Sequence, residues 1–142
     1  MGAVEDYVTY YGSHQWEKLR GVFDASDFKR TGPYLDVFTD VDQYVDFLEG
    51  VVPTMGADYE LQIERIVYTP GEKVAFGQFV EHLEINGVMS DIPETIVFDL
   101  NDAGLIRRMS LYLKQPGGFA PVGGTDAMGV TEGSDAMGVT EG

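Results

Sequence analysis

Residues 74–113 read VAFGQFVEHLEINGVMSDIPETIVFDLNDAGLIRRMSLYL, and they carry the clearest structural pattern of the chain. Within it, Asn86-Gly87 supplies the two positive-φ positions that a two-residue hairpin loop requires. Residues 101–104, Asn-Asp-Ala-Gly, suit a four-residue turn because Asn and Asp side chains bond their own backbone and Gly accepts a positive φ. The sequence therefore predicts three consecutive antiparallel strands joined by two tight turns.

The first turn also predicts which side chains share a face of the sheet. If Ile85 pairs with Val88, then Glu81 lies opposite Ile92, because partners step together along an antiparallel ladder. The more apolar face then carries Ala75, Gly77, Phe79, Glu81, Leu83, Ser90, Ile92, Glu94, Ile96 and Phe98, and a Leu100–Leu105 pair adds Arg107, Met109, Leu111 and Leu113. We expect this face to meet the helices and to enclose an apolar pocket.

The opposite, outer face of these strands is half apolar and half polar. Its side chains are Val74, Phe76, Gln78, Val80, His82, Met89, Asp91, Thr95 and Val97. Such a mixed surface is typical of an interface, so we predict a homodimer through this face. His82 falls opposite Asp91, which favours a cross-strand pair over a catalytic or metal-binding role. Pro93 cannot donate to the ladder, and a bulge there would move Glu94 to the outer face.

Helical periodicity marks three segments that precede these strands. Apolar residues at helical spacing predict helices at 3–11, 16–23 and 41–51. We expect Ser13 to cap the second helix and Thr39 to open a capping box for the third.

Two extended segments complete the pattern. A short one is predicted at 28–34 and a long strand at 59–68. Helices that precede a run of strands are typical of an α+β fold, here three helices packed on a curved, mostly antiparallel sheet.

The composition of the 142-residue chain limits the functions to consider. It has no cysteine, and so neither a disulfide framework nor thiolate metal ligands. No apolar run reaches the roughly 18 residues of a membrane span, and no signal pattern is present at the N-terminus. The net charge of −15 disfavours nucleic acid and anionic membranes as partners. The missing membrane span and signal pattern lead us to expect a cytoplasmic protein. The sequence also has no phosphate-binding glycine loop and no His-rich metal spacing, so we expect no metal or cofactor.

The composition changes near the C-terminus. Residues 117–142 are rich in glycine and contain DAMGVTEG twice, at 126–133 and at 135–142. Two copies of so short a repeat do not make a solenoid. We predict a flexible acidic tail after a domain of residues 1–116, with a docking segment as the alternative.

Glu81 and Glu94 are the polar exceptions on the predicted apolar face. Their Cβ atoms would lie roughly 7–8 Å apart, diagonally across two strands. Apolar surroundings and a second carboxylate both raise the pKa of a carboxyl group, which produces a general acid or base that works near neutral pH. We predict Glu81 as the main acid–base residue and Glu94 as the second. The alternative is that either carboxylate is hydrated or paired with Lys29, Arg107 or Lys114.

Three short motifs give the chain a resemblance to a known family. They are Asp6-Tyr-Val, Leu19-Arg-Gly-Val-Phe23 followed by Asp-Phe-Lys-Arg-Thr-Gly-Pro at 27–33, and Asn-Asp-Ala-Gly-Leu-Ile at 101–106. Over residues 4–116 the chain resembles the SnoaL-like branch of the nuclear transport factor 2-like (NTF2-like) superfamily. The resemblance implies an α+β cone around a deep apolar pocket and dimerisation through the outer face. Members include ketosteroid isomerases, limonene-epoxide hydrolases, polyketide cyclases, dehydratases and non-catalytic adaptors, so the fold does not define the function.

The resemblance to the ketosteroid isomerases transfers one functional residue. Tyr7 matches their oxyanion-hole tyrosine. Thr31 stands in place of their general-base aspartate, and Ile96 in place of their oxyanion-hole aspartic acid. The steroid-isomerase mechanism is therefore not expected.

The resemblance to the limonene-epoxide hydrolases also transfers one residue, Glu81, which matches an aspartate of their acid–base relay. Phe79 replaces their arginine, and Leu111 replaces both their second aspartate and the catalytic aspartate of the polyketide cyclases. Lys29 and Thr31 stand where a tyrosine and an asparagine hold the water. Glu81 is the one site acid on which the resemblance and the strand register agree.

These observations predict a cofactor-independent acid–base enzyme, of the isomerase, cyclase, dehydratase or epoxide-hydrolase type. Its substrate would be a small, largely apolar molecule such as a polyketide, terpenoid or steroid-like compound. The predicted catalytic residues are Glu81, Tyr7 and Glu94, and the predicted substrate-binding residues are Lys29, Thr31, Tyr11, Trp16, Phe79, Leu83, Ile92, Ile96, Met109 and Leu111. The alternative is a non-catalytic ligand-binding or adaptor module of the same fold. An open pocket that reaches Glu81 would favour the enzyme.

Overall fold

Three α-helices, one short 3₁₀ helix and six strands make up residues 2–115, which are the residues that the computed structural model describes. In chain order these are α1 (Ala3–Gly12), α2 (Trp16–Arg20), β1 (Lys29–Thr31), β2 (Val37–Phe38), α3 (Val41–Val51), the 3₁₀ helix (Val52–Met55), β3 (Glu60–Tyr68), β4 (Val74–Ile85), β5 (Val88–Leu100) and β6 (Ile106–Leu113). The predicted acidic tail, residues 117–142, lies outside the described residues.

The six strands form one curved sheet in the order β2-β1-β6-β5-β4-β3. All neighbouring strands are antiparallel except β1 and β6, which run parallel. The helices pack on one face of this sheet, and the core between them is built largely from aromatic and branched side chains. The α+β class that the sequence predicts is therefore confirmed.

The predicted register of the β4–β5 hairpin is confirmed along its whole length. Ile85 pairs with Val88, and Asn86 and Gly87 have φ values of 52° and 80°. The ladder shows no bulge at Pro93, so Glu94 stays on the inner face. Pro93 is tolerated because β6 ends beside it: the Pro93 carbonyl accepts a hydrogen bond of 3.1 Å from the Lys114 N–H, and the donor that proline lacks falls where the ladder stops.

The second turn forms as predicted, but the strand pairing beyond it departs from the predicted register by one residue at Leu100 and by two residues from Asp99 onward. The Asn101 side chain accepts hydrogen bonds of 2.9 Å from two backbone N–H groups of the turn. The register shifts between Asp99 and Leu100. As a result, Leu100 pairs with Ile106 and Phe98 pairs with Met109. Arg107, predicted on the inner face, is instead partly exposed and bonds Asp27 at 3.0 Å.

The three predicted helices exist, with differences at their ends. The second ends at Arg20, before the predicted 23, and the chain then forms a parallel bridge between Phe23 and Ile106. Ser13 is not its cap, because the Ser13 hydroxyl donates to a carbonyl of α1. For α3 the cap is Asp40, not Thr39, since the Asp40 carboxylate accepts a 2.9 Å hydrogen bond from the backbone of the first turn.

Gly77 in β4 allows an aromatic ring to lie flat against the sheet. A Cβ at this position would overlap the ring of Phe79, which is buried in the core. Phe79 pairs with Glu94 across the ladder, so this packing also anchors the strand segment beside the predicted catalytic residues.

Candidate active site

A cavity of about 440 Å³ lies between the inner face of the sheet, α1 and α3. Its walls are mostly apolar, and its polar side chains are carboxyls, phenols and one guanidinium. The lining residues are Tyr7, Tyr11, Arg30, Pro33, Tyr34, Asp36, Tyr44, Phe47, Leu48, Val51, Met55, Leu61, Glu81, Leu83, Glu94, Leu111 and Leu113. An apolar cavity with a few convergent polar groups is the usual form of a small-molecule site.

Glu81 and Glu94 reach this cavity from neighbouring strands. Glu81 pairs with Ile92 and Glu94 with Phe79, so the two carboxyls are diagonal neighbours on the inner face. Glu94 is 5% exposed, and burial raises its pKa to about 9, with a further contribution from the charge and hydrogen bonding of Glu81. The positive charge of Arg30 opposes this increase. Glu94 therefore carries a proton at neutral pH.

Two tyrosines form a chain of contacts that ends at Glu81. The Tyr59 hydroxyl, just before β3, donates a 3.2 Å hydrogen bond to Glu81 Oε1. The hydroxyls of Tyr59 and Tyr11 lie 2.7 Å apart. Burial raises the pKa of each phenol well above the ordinary value for tyrosine. Both phenols therefore stay protonated and can donate a hydrogen bond. The result is a connected chain of phenol and carboxyl groups in one wall.

A second pair of phenols lies at the Arg30 side of the cavity. The hydroxyl oxygens of Tyr7 and Tyr44 are 3.5 Å apart, and burial raises the pKa of both. The Arg30 guanidinium carbon is 5.2 Å from the centre of the Tyr44 ring. The cavity therefore has neutral hydrogen-bond donors at two places and a fixed cation at one.

Many of the residues predicted for the site line this cavity. They are Tyr7, Tyr11, Glu81, Leu83, Glu94 and Leu111. Four others are buried but do not line it: Phe79, Ile92, Ile96 and Met109. Trp16 packs edge-on against Tyr11, with ring centres 6.3 Å apart, and supports the cavity from behind.

The structure does not bring Lys29 and Thr31, which were predicted as substrate-binding residues, to this cavity. Both lie on the outer side of the sheet, where they line a separate pocket with residues of β6. In the parallel β1–β6 pairing Arg30 is opposite Met109, a core residue, so Arg30 is the β1 side chain that faces the cavity. A difference of one residue along a strand exchanges the two faces.

The proposed ion-pair partners of the two glutamates are also elsewhere. Lys29 is exposed, Arg107 bonds Asp27, and Lys114 is exposed beyond the end of β6. Arg30 is the cation that acts on Glu94. His82 bonds Asp91 at 2.6 Å on the outer face, as the register predicts.

Sequence analysis missed Arg30, Tyr44 and Tyr59 as site residues. Tyr44 is on the predicted apolar face of α3, and this position could have indicated that its phenol reaches the interior. Nothing local distinguishes Arg30 from its neighbours, because its direction depends on pairing with β6, far away in the chain.

Within residues 2–115, no helix is long and apolar enough to cross a membrane. In the same described segment, no group of three His, Cys, Asp or Glu side chains is arranged to hold a metal ion.

Several solved structures are similar to this chain. A proposed ketosteroid isomerase from Kribbella flavida has a TM-score of 0.68 and 15% identity, covering 84% of this chain and 80% of its own. An LEH-like epoxide hydrolase from M. tuberculosis has a TM-score of 0.65 and 16% identity, covering 79% and 80%. A proposed SnoaL-like polyketide cyclase from Jannaschia sp. CCS1 has a TM-score of 0.66 and 14% identity, covering 79% and 83%.

These similarities establish the fold. The chain has the NTF2-like α+β cone that the motifs and the strand pattern predict. No family model and no curated protein matches the sequence. At such low identity a shared fold does not imply a shared activity, because the activity depends on the residues of the site.

Proposed function

We propose that this chain is a cofactor-independent enzyme that uses a pair of carboxyl groups for acid–base chemistry on a small, largely apolar molecule. The observation that carries the proposal is the contrast between Glu94, buried with its pKa raised to about 9, and its diagonal neighbour Glu81, at the wall of an open cavity. A buried carboxyl that keeps its proton can act as an acid beside a second carboxyl that acts as a base in the same site.

Glu81 is the general base in this proposal. It accepts a hydrogen bond from Tyr59, which orients the carboxyl group toward the cavity that both glutamates line. Glu94, the protonated partner, is the general acid. Tyr7 is a hydrogen-bond donor to a substrate oxygen, because its buried phenol stays neutral.

The first step is a balanced proton transfer. Glu81 takes a proton either from a substrate carbon beside a carbonyl group or from a water molecule that attacks the substrate. Glu94 gives its proton to an oxygen of the substrate. The negative charge therefore moves from Glu81 to Glu94, the net charge of the pair does not change, and no net charge develops on the substrate. Isomerisation, cyclisation, dehydration and epoxide opening can all begin in this way. A polyketide-, terpenoid- or steroid-like molecule suits the volume and the largely apolar lining of the cavity.

The test compares turnover of small apolar ketones, enones and epoxides by the wild type, Glu81→Gln and Glu94→Gln. Loss of a general base or acid is expected to lower the rate roughly 10²–10⁴-fold. The matched control is Glu84→Gln, on the same strand but exposed. A wild type that binds these compounds but converts none of them faster than Glu81→Gln does would indicate the non-catalytic binding module.

The assembly we propose is a homodimer through the outer face of the sheet, in the cytoplasm and without metal or cofactor. Exposed apolar side chains on that face support it: Phe76 and its neighbour Val67 of β3 are both exposed, and the partly buried Val97 of β5 lies on the other side of Phe76.

A further inference from the structure

Arg30 is the cation of the cavity, and its hydrogen-bonding capacity is largely unused by the protein. The residue is 7% exposed and lines the cavity. A guanidinium has five N–H donors. Among residues 2–115, its side chain donates one hydrogen bond, of 2.6 Å, from Nη1 to Asp36 Oδ2, and Nε is buried without an acceptor. A buried charge with unfilled donors is costly to keep, which points to an acceptor that the protein itself does not supply.

The surrounding structure fixes the direction of this side chain. Asp36 comes from the loop between β1 and β2, and Gly32 lets that loop approach closely, because a Cβ there would overlap both Asp36 and the Arg30 guanidinium. On the other side the guanidinium lies over the rings of Tyr44 and Phe38, at 5.2 and 5.9 Å from their centres. Arg30 is therefore held in a single orientation before any ligand arrives.

The charge of Arg30 also remains available to a ligand. Its Asp36 partner is half exposed, at the rim of the cavity, where water screens the pair. Glu94, the closest buried carboxyl, keeps its proton at neutral pH and so does not neutralise the guanidinium. Among the cavity-lining residues Arg30 is the one cationic side chain, and much of the remaining wall is apolar, including Leu48, Val51 and Leu111.

We propose that Arg30 binds a carboxylate of the substrate, and that the substrate is therefore a small apolar carboxylic acid. This inference rests on the proposed function, because it takes the cavity to be the substrate site. A planar guanidinium matches a carboxylate better than it matches a neutral carbonyl, since two N–H groups can bond two oxygens. The hydrocarbon part then lies along the apolar wall, with its reacting end toward Glu81 and Glu94.

The test uses two probes of equal shape, 2-naphthoate and 2-naphthamide, titrated calorimetrically into the full-length protein at neutral pH. The wild type should bind naphthoate about 10- to 100-fold more tightly than naphthamide, the factor that a charge-assisted hydrogen bond supplies. Arg30→Gln should reduce this ratio to about one. Arg30→Lys should give a ratio between these values, because an ammonium keeps the charge but not the planar fork.

The control is Arg108→Gln, an arginine on the neighbouring β6 that bonds Asp27 and does not line the cavity. It should leave the ratio unchanged. Circular dichroism checks that each variant folds. If Arg30→Gln does not fold, the proposal is judged on Arg30→Lys, whose ratio of naphthoate to naphthamide affinity should be lower than that of the wild type. Equal wild-type affinity for the two probes, no binding of either at millimolar concentration, or a ratio unaffected at Arg30 would overturn the proposal. A wild type that shows no preference for naphthoate, but whose turnover still depends on Glu81, would refute the carboxylate assignment alone and leave the proposed function standing.

Discussion

The charge of Glu81 raises the pKa of Glu94, which lies one diagonal step away across the β4–β5 ladder. Glu94 is the more buried of the two, and burial is the largest cause of its raised pKa. The sequence analysis assigned the main role to Glu81 on its strand position. The structure instead gives the two glutamates different environments, which is what separates an acid from a base.

Glu94 should make the stability of the protein depend on pH. Its pKa is about 9 in the folded state against an ordinary value of 4.5. Between these values the folded state holds a proton that the unfolded state has lost, so stability falls as pH rises across this window. Glu94→Gln lacks this effect. Its free energy of unfolding should therefore improve relative to the wild type between pH 5 and 9, by at most about 1.4 kcal/mol per pH unit.

Urea unfolding at several pH values measures this difference. Glu84→Gln, an exposed substitution on the same hairpin, is the control and should follow the wild type. Parallel curves for Glu94→Gln and the wild type would show that Glu94 is ionised in the folded state.

Glu81→Gln should lower the pKa of Glu94. The substitution removes the charge that contributes to the raised value, while burial remains. The pKa should therefore fall below about 9 but stay above the ordinary 4.5. Carboxyl-carbon NMR titration of the labelled protein follows Glu94 directly. A value unchanged by the substitution would mean that burial alone sets it.

Tyr59→Phe should weaken the support of Glu81. It removes the 3.2 Å hydrogen bond to Glu81 and the 2.7 Å contact with the Tyr11 hydroxyl. Each lost bond is expected to lower the free energy of unfolding by about 0.5–1.5 kcal/mol. Tyr34→Phe, at an exposed phenol on the cavity rim, is the control for thermal denaturation. Equal melting temperatures for the two variants would contradict the bonded chain.

Gly77→Ala should destabilise the protein, because its Cβ would overlap the buried ring of Phe79. Overpacking of a core usually costs about 1–3 kcal/mol. Gly50→Ala in α3 is the matched substitution, since nothing lies within 4 Å of a Cβ there. It should stabilise the helix by about 0.5–1 kcal/mol. Denaturant midpoints that shift in the same direction for both variants would refute the role assigned to Gly77.

Phe76→Glu should disrupt the proposed homodimer. Phe76 is 41% exposed on the outer face beside Val67 and Val97, and a charge buried among these apolar side chains in an interface is costly to desolvate. Light scattering should give a dimer mass for the wild type and a monomer mass for the variant. Val88→Glu, at the exposed tip of the hairpin, is the control and should remain dimeric. A wild-type monomer at micromolar concentration would exclude the dimer.

Several features of the site follow from local sequence. Asn86-Gly87 adopts the turn its residue types demand, and a two-residue loop leaves one register, so Glu81 and Glu94 become diagonal neighbours on the inner face. The apolar spacing of α1 likewise turns Tyr7 and Tyr11 inward. These are short-range relationships, in which each residue's neighbours along the chain decide its direction.

Tertiary structure alone decided the rest. Arg30, not Lys29, faces the cavity because β1 pairs in parallel with β6, and the parity of a three-residue strand cannot be read from so short a segment. Tyr59 reaches Glu81 from 22 residues away in the chain, across a strand pairing that local pattern does not specify. The raised pKa of Glu94 depends chiefly on its burial, which exists only in the folded domain. The turn residues of the hairpin are enough to predict which of its side chains face inward, whereas the burial and the partners of those side chains depend on long-range packing.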